Sequence, residues 1–218
     1  VFHAFGHALA CRHFGARPRE MGVLLLAGMP TLFCDVSDAW RLPSKWRRIG
    51  VSAGGMFVEL LIAAMAAIVW SRSEPGTIHA ISLSLLVVCS VGTLAINANP
   101  LLRYDGYYIL SDLTEIPNLR QKASTILNRK LGAWCLGLEE PEDPFLPQRN
   151  QLFFALYTVA ASIYKWLVLF GILWFLYQLL EPYDLKIVSQ MLALLSLSTL
   201  VVMPLYKVGK FFYIPGRL

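Results

Sequence analysis

Charge is scarce in this chain. Asp, Glu, Lys and Arg make up 15% of its 218 residues, whereas 56% are hydrophobic and the mean hydropathy is +0.55. A soluble domain of this length buries a core with far less apolar sequence, so the composition argues against one. Cysteine is sparse too: Cys11, Cys34, Cys89 and Cys135 form no C-x-x-C pair and no framework, which leaves reduced thiols. There is no internal repeat, no low-complexity segment and no duplicated half with broken helices, which argues against a typical secondary transporter. The chain also opens without an initiator methionine, already inside an apolar stretch. That gives the expectation of a piece of a longer protein, with no targeting signal to read.

What is present is apolar sequence in blocks, and crossing a bilayer takes about 20 helical residues. Five membrane segments are expected: one ending near Cys11, then Val51–Trp70, Ile78–Asn97, a stretch within Leu152–Leu180, and Leu185–Leu205. The fourth block rises about 43 Å as a helix, against a hydrocarbon core of about 30 Å, so it must tilt or begin at the interface, with Lys165 and Trp166 anchoring near the boundary. Met21–Cys34 is apolar but short, and Gly28 and Pro30 interrupt it, so a membrane-lying hairpin or re-entrant segment is expected there. The predicted fold class is therefore an all-α integral membrane protein of about five transmembrane helices, with that short segment after the first. Three regions follow: a membrane core over 1–119, a cytoplasmic loop over 120–151 and a two-helix segment over 152–218.

The net charge of +5 points to nucleic acid in a soluble protein. Here the basic residues flank the apolar blocks instead. Arg12, Arg17 and Arg19, then Arg41, Lys45, Arg47 and Arg48, the loop from Arg103 to Arg149, and Lys207, Lys210 and Arg217 all fall on one side if the crossings alternate. That side is expected to be cytoplasmic, and no nucleic-acid partner is expected. The acidic run Glu139–Pro144 reads as solvated surface.

Histidine occurs four times, and two copies, His3 and His7, are four apart in the first apolar helix. Residues i and i+4 share a helix face, so both imidazoles are placed to grip one ion. In the hydrolytic H-E-x-x-H pattern the glutamate after the first histidine is the general base. Ala4 stands in that position. Topology supplies a candidate third ligand: Asn97, Asn99, Pro100 and Asp105 follow the third segment on the same side as the histidines. Two His plus one carboxylate with an open fourth position is a catalytic zinc set. His13 lies about 80° off the stripe, Cys11 about 12 Å along it, and His79 at the opposite membrane face. Asp35 and Asp38 stay open as supporting or surface groups.

Taken together, H-x-x-x-H in a membrane helix, a glycine-rich second helix and N-x-N-P-x-x-x-x-D-G after the third resemble the site-2 protease family of intramembrane zinc metalloproteases. The matching positions are His3 and His7, then Gly54, Gly55 and Glu59, then Asn97, Pro100, Asp105 and Gly106, within residues 1–119. The tract NANPLLRYDGYYILSDLTEIPNLR is similar to a bacterial branch whose members sit beside, or are fused to, secretion adaptors. The resemblance implies Zn2+ on His3, His7 and Asp105, with Asn97 on the substrate or the oxyanion. It also implies location in a bacterial inner membrane, with lipid, a membrane-protein substrate or a secretion adaptor as partners. Ala4 departs from the pattern, and loss of a general base costs about 10²- to 10⁴-fold. The expectation is a protease-type protein that is inactive or strongly impaired. The alternative is a non-catalytic scaffold, or pseudoprotease, that binds a membrane helix or an adaptor. An ion path through the intramembrane His, Asp and Glu is a third reading.

Glu59 reads either as a stand-in base or, preferably, as a protonated or paired helix contact where the family often has asparagine. Gly54 and Gly55 read as close-packing residues.

Overall fold

A computed structural model of the chain describes residues 2–26, 29–136, 151–183, 187, 190–198, 202 and 206. The first helix, α1 (Phe2–His13), ends where Gly15 adopts a φ of 91°, a left-handed conformation that glycine reaches without strain. Ala16 N then donates to Cys11 O at 3.0 Å and Gly15 N to Arg12 O at 3.2 Å, so the turn caps the last carbonyls of the helix.

The expected hairpin is a β-hairpin, which corrects the all-α reading. Strand β1 (Glu20–Leu26) pairs antiparallel with β2 (Met29–Asp35), with Glu20 opposite Asp35 and Val23 opposite Leu32. Val23, Leu24, Thr31, Leu32 and Phe33 suit a pleated strand. Ala27 and Gly28 lie outside the described residues. Most of β1 is exposed and apolar, from Met21 to Leu25.

A short 3₁₀ turn (Ser37–Arg41) leads into α2 (Lys45–Arg72). Helix α3 (Thr77–Gly92) continues into a π turn (Thr93–Asn97), followed by α4 (Asp105–Thr114), α5 (Leu119–Leu136) and α6 (Gln151–Leu180). Among the described residues, three helices are long and apolar enough to cross a membrane: Lys45–Arg72, Thr77–Asn97 and Gln151–Leu180. They match the second, third and fourth expected segments. Of the expected fifth, Leu185–Leu205, residues 190–198 are helical and much of the rest lies outside the described residues. The acidic run Glu139–Pro144 lies outside them altogether.

The chain divides into two compact units, Val1–Ala161 and Ser162–Leu218. The first holds two clusters. Cys11, Ala16, Ala39, Leu42 and Val51 join the end of α1 and the turn after β2 to α2. Tyr107, Leu119, Ala123, Ile126, Phe154 and Tyr157 join α4, α5 and the start of α6. Helix α5 lies in the stretch read as a loop over 120–151.

Candidate metal centre

Helices α1 and α2 run antiparallel at very close range. A Cβ at Gly6 would overlap the Gly54 carbonyl, and one at Gly54 would lie 2.6 Å from Gly6 O and 2.7 Å from Ala10 Cβ. Only glycine permits this approach. It lays His3 and His7 over a stripe of α2 formed by Val51, Gly55 and Glu59, each four residues apart. Gly55 is the floor of the site: a Cβ there would lie 2.5 Å from His7 Nε2 and 2.7 Å from His3 Cε1.

Asp105 arrives from the far end of α3. The π turn and the residues after it redirect the chain, and α4 begins at Asp105 itself, where a helix N-terminus favours a carboxylate. A Cβ at Gly106 would overlap the Ala98 carbonyl, so glycine is what lets α4 start flush against the turn. Tyr157 of α6 donates to Pro100 O at 2.9 Å and ties that turn down from outside.

Three side chains converge. His7 Nε2 lies 3.0 Å from His3 Nε2, His3 Nε2 lies 3.1 Å from Asp105 Oδ2, and His7 Nε2 lies 3.3 Å from Asp105 Oδ1, so the two histidines meet different oxygens of the carboxylate. These spacings are near the about 3.3–3.4 Å that separates ligand atoms around a tetrahedral ion bound at about 2.0–2.1 Å. Among the described residues this is the one group of three or more His, Cys, Asp or Glu able to share an ion.

Hydrogen bonding favours a cation here. His7 Nδ1 donates to Val51 O at 2.9 Å, which leaves Nε2 a bare lone pair in the neutral ring. His3 Nδ1 lies 3.2 Å from Glu59 Oε2, which favours the same tautomer. Two such lone pairs 3.0 Å apart, beside a carboxylate, repel one another unless a proton or a metal ion lies between them. Asp105 Oδ2 and His3 Nδ1 are buried atoms without a partner in hydrogen-bond geometry among the described residues; the first faces the cluster, whereas the second faces Glu59. Burial pushes the Asp105 carboxyl up, but the adjacent His3 and His7 imidazoles outweigh it and hold the group below the usual carboxylate range. His3, His7 and Asp105 together could hold a metal ion.

The other expected residues are placed as follows. Ala4 is buried at 6% exposure, next to His3 on α1. Asn97 directs its amide to Glu59 Oε2 at 3.2 Å, and Thr93 donates to the same oxygen at 2.5 Å. Glu59 is therefore a paired group that meets His3 at Nδ1, not at the nitrogen facing the ligand triangle. Asp35 accepts from Ser37 N at 2.8 Å and Asp38 from Arg17 N at 3.2 Å, so both organise the turn after β2. His79 lies against Trp70 and Ser73 in the α2–α3 connection, away from the centre.

A cleft of about 340 Å³ opens beside the centre, reaching His7 and Asp105 and walled by Trp40, Tyr108 and Val51. Arg48 and Asp112 close it, paired at 2.6 Å. Sequence reasoning missed this pair, the carbonyl of Val51 and the role of Thr93. A signal existed only for Thr93, four residues before Asn97.

Comparisons with protein-family models, with curated proteins and with solved structures give no match.

Proposed function

We propose that the chain is an intramembrane metalloprotease-type protein of the site-2 protease kind, with Zn2+ held by His3, His7 and Asp105. The observation that carries this is the set of contacts at 3.0–3.3 Å among His3, His7 and Asp105, with His7 fixed through its other nitrogen on Val51 O. A zinc ion there supplies Lewis-acid polarisation of a peptide carbonyl. The histidines and Asp105 hold it from one side. The cleft beside them supplies space for an extended substrate segment between Trp40 and Tyr108. The exposed apolar faces of α2, α3 and α6 support placement in a membrane, with the centre toward the side that carries the basic loops.

What the centre lacks, among the described residues, is a group free for proton transfer. Ala4 offers a methyl group where the base belongs, and Glu59 is occupied by Thr93 and Asn97 behind His3. As it stands, the protein binds the metal and hydrolyses weakly or not at all. Ala4→Glu tests this with labelled transmembrane-helix peptides in detergent or bilayers. Cleavage appearing with that change, and disappearing with His7→Ala in the same background, supports a protease site. No cleavage from a variant that keeps its zinc favours a second reading that Ala4 itself motivates: a metal-stabilised scaffold for a membrane helix or secretion adaptor.

A further inference from the structure

One carboxylate is unused by this account. Glu59 sits in the middle of an apolar helix, where an ionisable side chain is costly and is retained for a reason. It does not join the ligand triangle. Its Oε2 instead collects three polar neighbours: Thr93 Oγ1 at 2.5 Å, Asn97 Nδ2 at 3.2 Å and His3 Nδ1 at 3.2 Å. Thr93 and Asn97 are the first and last residues of the π turn, and the wider turn presents both side chains to the same oxygen. Such turns recur at functional sites. Thr93 is 1% exposed, so this arrangement is locked by packing and not by solvent. Of the two candidate ligand histidines, His7 has a backbone acceptor for its outer nitrogen, and among the described residues the group that approaches His3 Nδ1 is Glu59, at 3.2 Å.

We propose that Glu59 is the positioning residue of the metal centre: anchored by Thr93 and Asn97, it accepts the Nδ1 proton of His3 and so presents Nε2 to the ion. Asn97 then acts through Glu59 and not on substrate, which departs from the role its motif implies. This rests on the zinc-centre reading above. Carboxylate–histidine–metal relays fix the tautomer and the ring plane and raise the basicity of the ligand, and their loss costs about 10- to 100-fold in metal affinity.

The test compares Glu59→Leu, Glu59→Gln and Asn97→Ala with the starting protein by zinc competition titration and by the visible spectrum of the Co2+-loaded form. A second readout needs no metal: the ¹⁵N imidazole shifts of His3 in the metal-free protein, which report its tautomer. The expected result is a loss of about 10- to 100-fold in affinity and a changed Co2+ spectrum for Glu59→Leu. Glu59→Gln, whose carbonyl still accepts from Nδ1, should retain most of the affinity. Asn97→Ala should fall between, and the Nδ1–H tautomer of His3 should be lost only in Glu59→Leu. Unchanged affinity and tautomer in Glu59→Leu overturn the proposal while leaving the zinc centre standing. Equal losses in Glu59→Gln and Glu59→Leu also overturn it. Absence of zinc binding by the starting protein overturns the metal-centre reading itself, and the relay with it.

Discussion

His7 donates its Nδ1 proton to the backbone carbonyl of Val51 across the α1–α2 interface, at 2.9 Å. Val51 is itself 1% exposed and belongs to the cluster that joins the end of α1 to α2. The orientation of one candidate ligand is thus set by the best-buried part of the helix pair. A backbone acceptor cannot be removed by a side-chain change, so the contact holds as long as the two helices stay in register.

Register depends on glycine, and the two adjacent glycines have separable effects. Gly55→Ala places a methyl group 2.5 Å from His7 Nε2 and should weaken zinc binding about tenfold or more. Gly54→Ala meets Gly6 O and Ala10 and should instead destabilise the fold by about 1–3 kcal/mol. Zinc titration and thermal unfolding in detergent separate the two. Equal behaviour of both variants in both assays contradicts this division.

Arg48 and Asp112 tie α2 to α4 below the cleft. Arg48 Nε donates to Asp112 at 2.6 Å and Nη1 to Leu42 O at 3.0 Å, and the Asp112 side chain is only 9% exposed. Removing one partner strands the other in a buried site, so Asp112→Ala should cost about 3 kcal/mol. The double change Arg48→Met with Asp112→Leu should cost less than the single one. Chemical unfolding of the purified protein measures both.

Metal binding should strengthen as pH rises. Both imidazoles must be unprotonated to bind, so protons compete with the ion for the same nitrogens. Asp105 is held below the usual carboxylate range, so it adds no competing proton near neutral pH. As the solution is acidified the affinity should therefore fall by up to about 100-fold per pH unit, the slope for two protons. Calorimetric titrations between pH 5 and 7.5 check the slope, and a flat profile contradicts the ligand set.

Tyr157→Phe removes the bond to Pro100 O that restrains the turn before Asp105. A neutral hydrogen bond of this kind contributes about 0.5–1.5 kcal/mol. Loss of that order in unfolding experiments, with zinc stoichiometry unchanged, is the expected outcome.

Three of the long helices were legible because their apolar runs are uninterrupted and longer than a core helix needs. The grouping of His3, His7 and Asp105 was legible because i,i+4 spacing and alternating crossings place them at one end. The hairpin over 20–35 was recognised as too short to span, but its β character depends on cross-strand pairing that no local pattern specifies. Gly55 was read as packing because sequence cannot tell which of two adjacent glycines meets a helix backbone and which meets the ligand rings. Asn97 was placed on the substrate or the oxyanion by its motif alone; its hydrogen bond to Glu59 depends on the π turn, which leaves no compositional trace.

The most direct test of the central claim is the metal content of the purified chain by mass spectrometry, beside His7→Ala and Asp105→Ala, under conditions that do not strip metal. One zinc per chain, lost in both variants, is the expected result. A starting chain without bound metal, or an Asp105→Ala variant that keeps a full equivalent, would contradict a centre built by His3, His7 and Asp105.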